Sequence, residues 1–265
     1  MLRWLALLLM MVAAPAQAQV ATWRFNPAAD YVTVGQDEPG YRRWAAAASW
    51  RPVYVRAFND YLIVHGVGGV APTWQLLRTA TDWQKCGAEP YEVPPVNAWP
   101  NIVATLRYIG TYIVPVMGPV EPVSVYRNPA LNACAGGAAT STHREMGAVD
   151  MVPLRPITRE ALMRELCRIH AASAGASSAG LGFYKGLRFH IDSRKYREWG
   201  TQGAHGGYGC TAVLAEGAAP FNPNPLPPLS PTPSPTPTPS PSPSPSVVSG
   251  PLIIQMPTDP LAPQP

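Results

Sequence analysis

The chain has 265 residues, a formal net charge of +4 and only 14% charged residues. Its arginines are scattered rather than clustered, which leaves no footprint for nucleic acid. Thirty-three prolines and four cysteines set two further limits: part of the chain cannot fold regularly, and the cysteines must be accounted for.

Arg3 precedes an apolar run over residues 4–14 and then Ala16-Gln17-Ala18. A short positive start, an apolar core well under about 20 residues and an A-x-A site read as a secretory signal peptide over residues 1–18. Its removal would leave a chain beginning at Gln19, exported to the periplasm, the cell wall or the extracellular space. The mature charge of +3 (4 less Arg3) would suit an anionic cell wall without demanding one. In an oxidising compartment Cys86, Cys134, Cys167 and Cys210 are expected to form two disulfides. Four cysteines allow three connectivities, and Cys86–Cys134 with Cys167–Cys210 is the preferred one. No C-x-x-C is present, which argues against a zinc ribbon or a thioredoxin-type site.

The first half of the expected domain, residues 19–219, reads as helical. "TWQLLRTATDWQ" places Trp74, Leu77 and Thr81 on one face, with Thr73 as a candidate cap. "NIVATLRYIG" repeats Ile102, Leu106 and Ile109, and Gly110 is expected to end that helix. Further on, "PVSVYR" alternates and reads as a strand running to Arg127. "TREALMRELCRIHAA" carries Leu162, Leu166 and Ile169 at helical spacing, with Thr158 as N-cap and Gly175 past its end. "LGFY" and "RFHID" read as strands joined by a tight turn at Gly186. The expected fold class is therefore α+β, a small antiparallel sheet with flanking helices and a helical N-terminal lead-in. From 230 to 246 every second residue is proline, so residues 220–265 are expected to be a disordered tail of extended spacer type.

"STHREMGAVDM", residues 141–151, holds His143 and Asp150 on either side of Gly147. On one straight helix the two would lie about 10 Å apart, too far to share an ion. A loop through Gly147 leading into a strand "AVDMV" would bring them together. An acid between Val149 and Met151 in an apolar strand also calls for a partner, because an unpaired buried charge is costly. Among the other histidines, His65 reads as structural or exposed, His170 as closing its helix on the polar side, and His205 as part of a glycine-rich loop. His190 lies mid-strand between Phe189 and Ile191 and is the best third ligand. His143, Asp150 and His190 would make a two-histidine, one-carboxylate shell with an open position, the pattern of a catalytic zinc. H-E-x-x-H is absent, and "HRE" at 143–145 lacks the P-C-x-x-C half of a zinc deaminase.

Two stretches, "SVYRNPALNACAGGAATSTHREMGAVDMV" and "GLGFYKGLRFHIDSRKYREWG", resemble the M15 zinc peptidases, the D-Ala-D-Ala carboxypeptidases and endopeptidases that share the hedgehog zinc-domain fold. The resemblance covers about residues 122–200, within a core of about 70–212. It implies Zn2+ on His143, Asp150 and His190, a catalytic and substrate-binding Arg127, and a substrate pocket lined by Ser141. Asn132, Gly136 and Gly137 match positions that shape the loop before the first ligand. The implied substrates are peptidoglycan stem peptides, cut by polarising the scissile carbonyl and acidifying a water. Many members carry an acid three positions before the last ligand; here that position is Leu187. Asp192, two residues beyond His190 on the same strand face, is the candidate base or orienting group, and Glu145 is another candidate base. The alternative reading keeps the fold and the zinc but not catalysis: a cell-wall-binding module.

Overall fold

A computed structural model describes residues 25–200 and 209–215. The signal peptide, His205 and the proline-rich tail expected above lie outside them. The described residues open with a 3-10 turn at Pro27–Asp30, then helices α1 (Glu38–Ala46) and α2 (Trp50–Val64). Asp37 caps α1 by accepting from the Gly40 N–H, and Pro39 occupies its first turn, where no donor is lost. Phe58 and Leu62 turn the inner face of α2 into the core.

Residues 73–84 do not form the expected helix. Only a 3-10 turn at Gln75–Leu77 forms, and the backbone then extends. Arg78 bridges Tyr91, the Thr79 N–H donates to Pro90 O, the Glu92 N–H to Leu77 O and the Val125 N–H to Arg78 O. Those bonds consume the groups a helix would need. The Arg78 side chain is fully buried and donates to Gln36 O, Glu121 and Pro122 O, so tertiary pairing outweighs local periodicity.

Helix α3 (Trp99–Tyr108) buries Ile102 and Leu106 as expected. Gly110 does not end it. A π-helical turn at Ile109–Ile113 and a last turn α4 (Val114–Met117) carry it on to Gly118, whose φ of 74° makes the stop. Pro115 has no N–H, and the Val114 N–H reaches back to Ile109 O instead, which widens the helix by one residue there. Gly110 serves close packing: a Cβ there would lie 3.0 Å from the Val70 side chain.

Five strands follow: β1 (Val120–Ser124), β2 (Ala148–Pro153), β3 (Gly180–Phe183), β4 (Phe189–Asp192) and β5 (Arg197–Trp199). Their order in the sheet is β1-β2-β4-β3-β5. β1 ends at Ser124, so Arg127 lies beyond the strand expected to carry it. The expectation of an antiparallel sheet holds for three pairings and fails for one, because β5 runs parallel to β3. Two successive reversals, at β3–β4 and β4–β5, send the chain back along the β3 direction at the outer edge.

Between β1 and β2 lies the short helix α5 (Pro129–Cys134), and between β2 and β3 the long helix α6 (Arg159–Ser177). Thr158 caps α6 as expected, but the helix runs through Gly175 and stops at Ser178, in the left-handed region at φ 51°. The fold is thus mixed α/β, one face of its sheet carrying Val149, Met151, Leu181, Phe189 and Ile191 into the main hydrophobic core. Disulfides Cys86–Cys134 and Cys167–Cys210 are the preferred pair. The first ties α5 to the loop after Thr79; the second ties α6 to α7 (Gly209–Ala215). No helix among the described residues is long and apolar enough to cross a membrane.

Candidate metal centre

The opposite face of the sheet alternates with the core face and carries a different chemistry. Asp150 on β2 stands directly across from His190 on β4, and His190 across from Gly182 on β3. Facing residues on paired strands bring their Cβ atoms to about 5 Å, so register alone joins an acid to an imidazole. His143 arrives from a 3-10 turn, Thr142–Glu145, that precedes β2. The bend that turns the chain into β2 is Met146, at φ 57°, not Gly147. Gly147 donates its N–H back to Thr142 O and closes the turn.

Three ligand atoms converge. His143 Nε2 lies 3.1 Å from Asp150 Oδ1 and 3.2 Å from His190 Nδ1, and His190 Nδ1 lies 2.9 Å from Asp150 Oδ1. All three side chains are buried. On the far side of each ring the other nitrogen is spoken for: His143 Nδ1 donates to Val125 O at 2.6 Å, and His190 Nε2 to Asp192 Oδ2 at 2.9 Å. These bonds set the tautomers and leave a bare lone pair on each inward nitrogen. Two lone pairs and a carboxylate oxygen facing one another in a buried site repel unless a cation or a proton sits among them. Donors about 2.0–2.1 Å from a tetrahedral ion stand about 3.3–3.4 Å apart, close to the spacing found. The group can therefore hold a metal ion.

The surroundings push in the same direction. Burial, then the Arg127 guanidinium, lowers the His143 pKa to about 4, so this imidazole is neutral and ready to ligate. Burial opposes charge on Asp150, but the positive charge around it prevails and holds the carboxyl well below its usual range; with His143 neutral, that charge is the Arg188 and Arg127 guanidinium pair. For His190, burial disfavours the imidazolium, yet bonds to Asp150 and Asp192 prevail and raise its pKa.

Arg127 reaches Asp150 Oδ2 at 2.5 Å through Nη2 and Ser124 Oγ at 2.9 Å through Nε. Asp192, fully buried, stands behind His190 rather than beside the three ligand atoms, and it also accepts from Arg197 at 2.6 Å. Ser141 lines a cleft of about 460 Å³ that opens over His143 and His190. Glu145 points elsewhere: its carboxylate pairs with Arg194 at 2.9 Å, both half-exposed, and it does not line the cleft. Leu187 is half-buried against the core and offers no acid. The loop before His143 is shaped as expected, since Asn132 Nδ2 donates to Ala138 O and a Cβ on Gly137 would lie 2.2 Å from Asn132 Oδ1.

Compared with known proteins, the chain matches no family model, no curated protein and no solved structure.

Four site residues escape motif reading. Arg188 donates to Asp150 Oδ2, the Tyr184 hydroxyl lies 3.1 and 3.2 Å from the two Asp150 oxygens, and Trp199 packs 5.5 Å from the His190 ring, while Arg197 holds Asp192. Strand alternation would have found two of them. Arg188, His190 and Asp192 share one face at a spacing of two, and so do Gly182 and Tyr184. The glycines of "GLGF" are the matching vacancies: a Cβ on Gly180 would lie 2.6 Å from Asp192 Oδ2, and one on Gly182 2.1 Å from the Trp199 indole. Gly182→Ala is therefore expected to displace Trp199 and cost about 1–3 kcal/mol, read as a lower urea midpoint.

His170 is buried at 2% exposure, not on a polar face; its Nε2 meets Ala179 O and its ring stacks on Tyr196 at 4.6 Å. It neighbours Glu198 and Cys210, but the Cys210 sulfur is committed to its disulfide, so this second cluster lacks a thiolate ligand.

Proposed function

We propose that the chain is an exported zinc peptidase of the M15 type, with the hedgehog/D-Ala-D-Ala-peptidase fold, acting on D-Ala-containing bonds of peptidoglycan stem peptides as a D,D-carboxypeptidase or cross-link endopeptidase. The observation that carries this reading is the set of three buried ligand atoms, 2.9–3.2 Å apart, two of them on histidines that line a cleft together with Arg127, Arg188 and Arg197. Both inward nitrogens are bared by bonds on the opposite side of their rings, an arrangement that raises ligand basicity and fixes ring orientation. Zinc held there supplies Lewis acidity near neutral pH.

The chain's own residues divide the remaining work. Asp192 orients His190 and holds the Nε2 proton, a positioning role. Arg127, tethered by Ser124 and Asp150, brings positive charge to the cleft, where it suits a carboxylate terminus or a developing oxyanion. Ser141 and the 135–142 loop form the wall against which a peptide would lie. Two disulfides, together with the residue 1–18 pattern, support export.

The second reading, a zinc-containing wall-binding module without catalysis, draws on Leu187, an apolar side chain where many M15 enzymes carry their base. Incubation of the protein with cross-linked muropeptides separates the two. The peptidase should release D-Ala or uncross-linked monomers, with the product falling to background under a chelator or in His143→Ala. Stoichiometric zinc without product would leave the binding module, and absence of bound zinc would sink both.

A further inference from the structure

Resting on the peptidase reading, we propose that Tyr184 is a catalytic residue of this site, its phenol O–H donating to the carbonyl oxygen of the scissile amide as negative charge develops there. Four observations carry this. First, the hydroxyl lies against Asp150, one of the three ligands, and Tyr184 lines the same cleft as His143 and His190.

Second, its present bond is a loose one. The hydroxyl is shared between Asp150 Oδ1 at 3.1 Å and Oδ2 at 3.2 Å, whereas a committed O–H to a carboxylate closes to about 2.5–2.7 Å. Third, Asp150 does not depend on it, because Arg127 and Arg188 both donate to Oδ2 and His143 and His190 face Oδ1. A rotation about the Cζ–Oη bond can therefore move the donor from Asp150 to a substrate oxygen without stripping the carboxylate.

Fourth, the ring is braced on two sides. Trp199 packs edge-on at 5.0 Å and 83°, and the Arg188 guanidinium lies over the ring at 4.2 Å. A donor held in place before the reaction is the kind that stabilises a transition state rather than a ground state. Position adds weight. Leu187 leaves the usual acid position empty of polar function, Asp192 is spent on His190 and Arg197, and Glu145 is turned away to Arg194.

No covalent bond to tyrosine is made or broken. The proton stays on the phenol, and the hydrogen bond shifts from carboxylate to carbonyl oxygen. The test is Tyr184→Phe, assayed on a stem peptide beside the wild type, with bound zinc and thermal midpoint measured on both. The expected result is a kcat about 100-fold lower, with KM, zinc stoichiometry and melting unchanged. A kcat/KM within twofold of wild type overturns the proposal. So does a fall in zinc affinity that accounts for the lost activity, which would make Tyr184 a positioning residue on Asp150. Zinc-loaded wild type that turns over no stem peptide is a separate result: it removes the peptidase reading itself, and this proposal with it.

Discussion

Asp150→Ala is expected to be the most damaging single substitution in the molecule, abolishing metal binding and lowering the melting temperature by about 6–20 °C. Asp150 is fully buried and accepts from Arg127, Arg188 and Tyr184 while facing both histidines. Removing it strands two guanidinium groups beside two imidazoles. Breaking a buried pair from one side costs about 3–5 kcal/mol, because the surviving charge is left largely desolvated without its partner. For a domain of this size each kcal/mol moves the midpoint by about 2–4 °C. Asp150→Asn separates the two effects. It keeps the shape and an acceptor oxygen but loses the charge, so it should melt above Asp150→Ala while remaining defective in zinc binding by isothermal titration. Equal melting of both variants and wild type would show that Asp150 carries no buried charge.

Those same contacts explain what could and could not be read from the residues. Asp150 and His190 were legible because each is a polar residue between apolar strand neighbours, and such residues need partners that local sequence does not provide; His143, in the polar run "STHRE", was legible only through its place before Asp150 and the resemblance of the paired motifs. The strands carrying Asp150 and His190 were legible through alternation, and α6 through its cap and stripe. Arg188 and Tyr184 lay in plain view at a spacing of two from His190 and Gly182, but a search by ligand type passes over them. Arg78 shows the opposite failure. Its neighbours have helical periodicity, yet its backbone pairs with Tyr91 and its side chain reaches Gln36, Glu121 and Pro122, all at least 13 positions away in sequence. Long-range pairing of that kind leaves no local trace. Gly110 and Gly175 misled for a related reason, since a glycine inside a helix and one ending it differ only in φ. The true stops, Gly118 and Ser178, take positive φ.

Chelation should cost this protein more stability at high pH than at low pH. In the metal-free state the inward lone pairs of His143 and His190 and the Asp150 oxygen still need a positive centre, and a proton on His190 is the one available. Its raised pKa records that: Asp150 and Asp192 favour the imidazolium enough to overcome burial. His143, pressed down to about 4 by burial and Arg127, stays neutral and cannot take the role. A group whose folded pKa is raised contributes stability that is complete below its unfolded value of about 6.5 and is lost as pH rises through the folded value. The chelated protein should therefore weaken above neutrality. With metal bound, His190 is held neutral by coordination and that loss disappears, while the ion adds about 4 kcal/mol once it exceeds its dissociation constant a thousandfold. The gap between zinc-loaded and chelated melting temperatures should then widen from pH 6 to pH 9, and zinc affinity should fall toward pH 5 as protons compete for His190. Paired melts with and without chelator across that range decide the matter. A gap that stays constant or narrows with rising pH would mean that no proton on His190 stands in for the ion, and that the three ligand atoms are held together by packing alone.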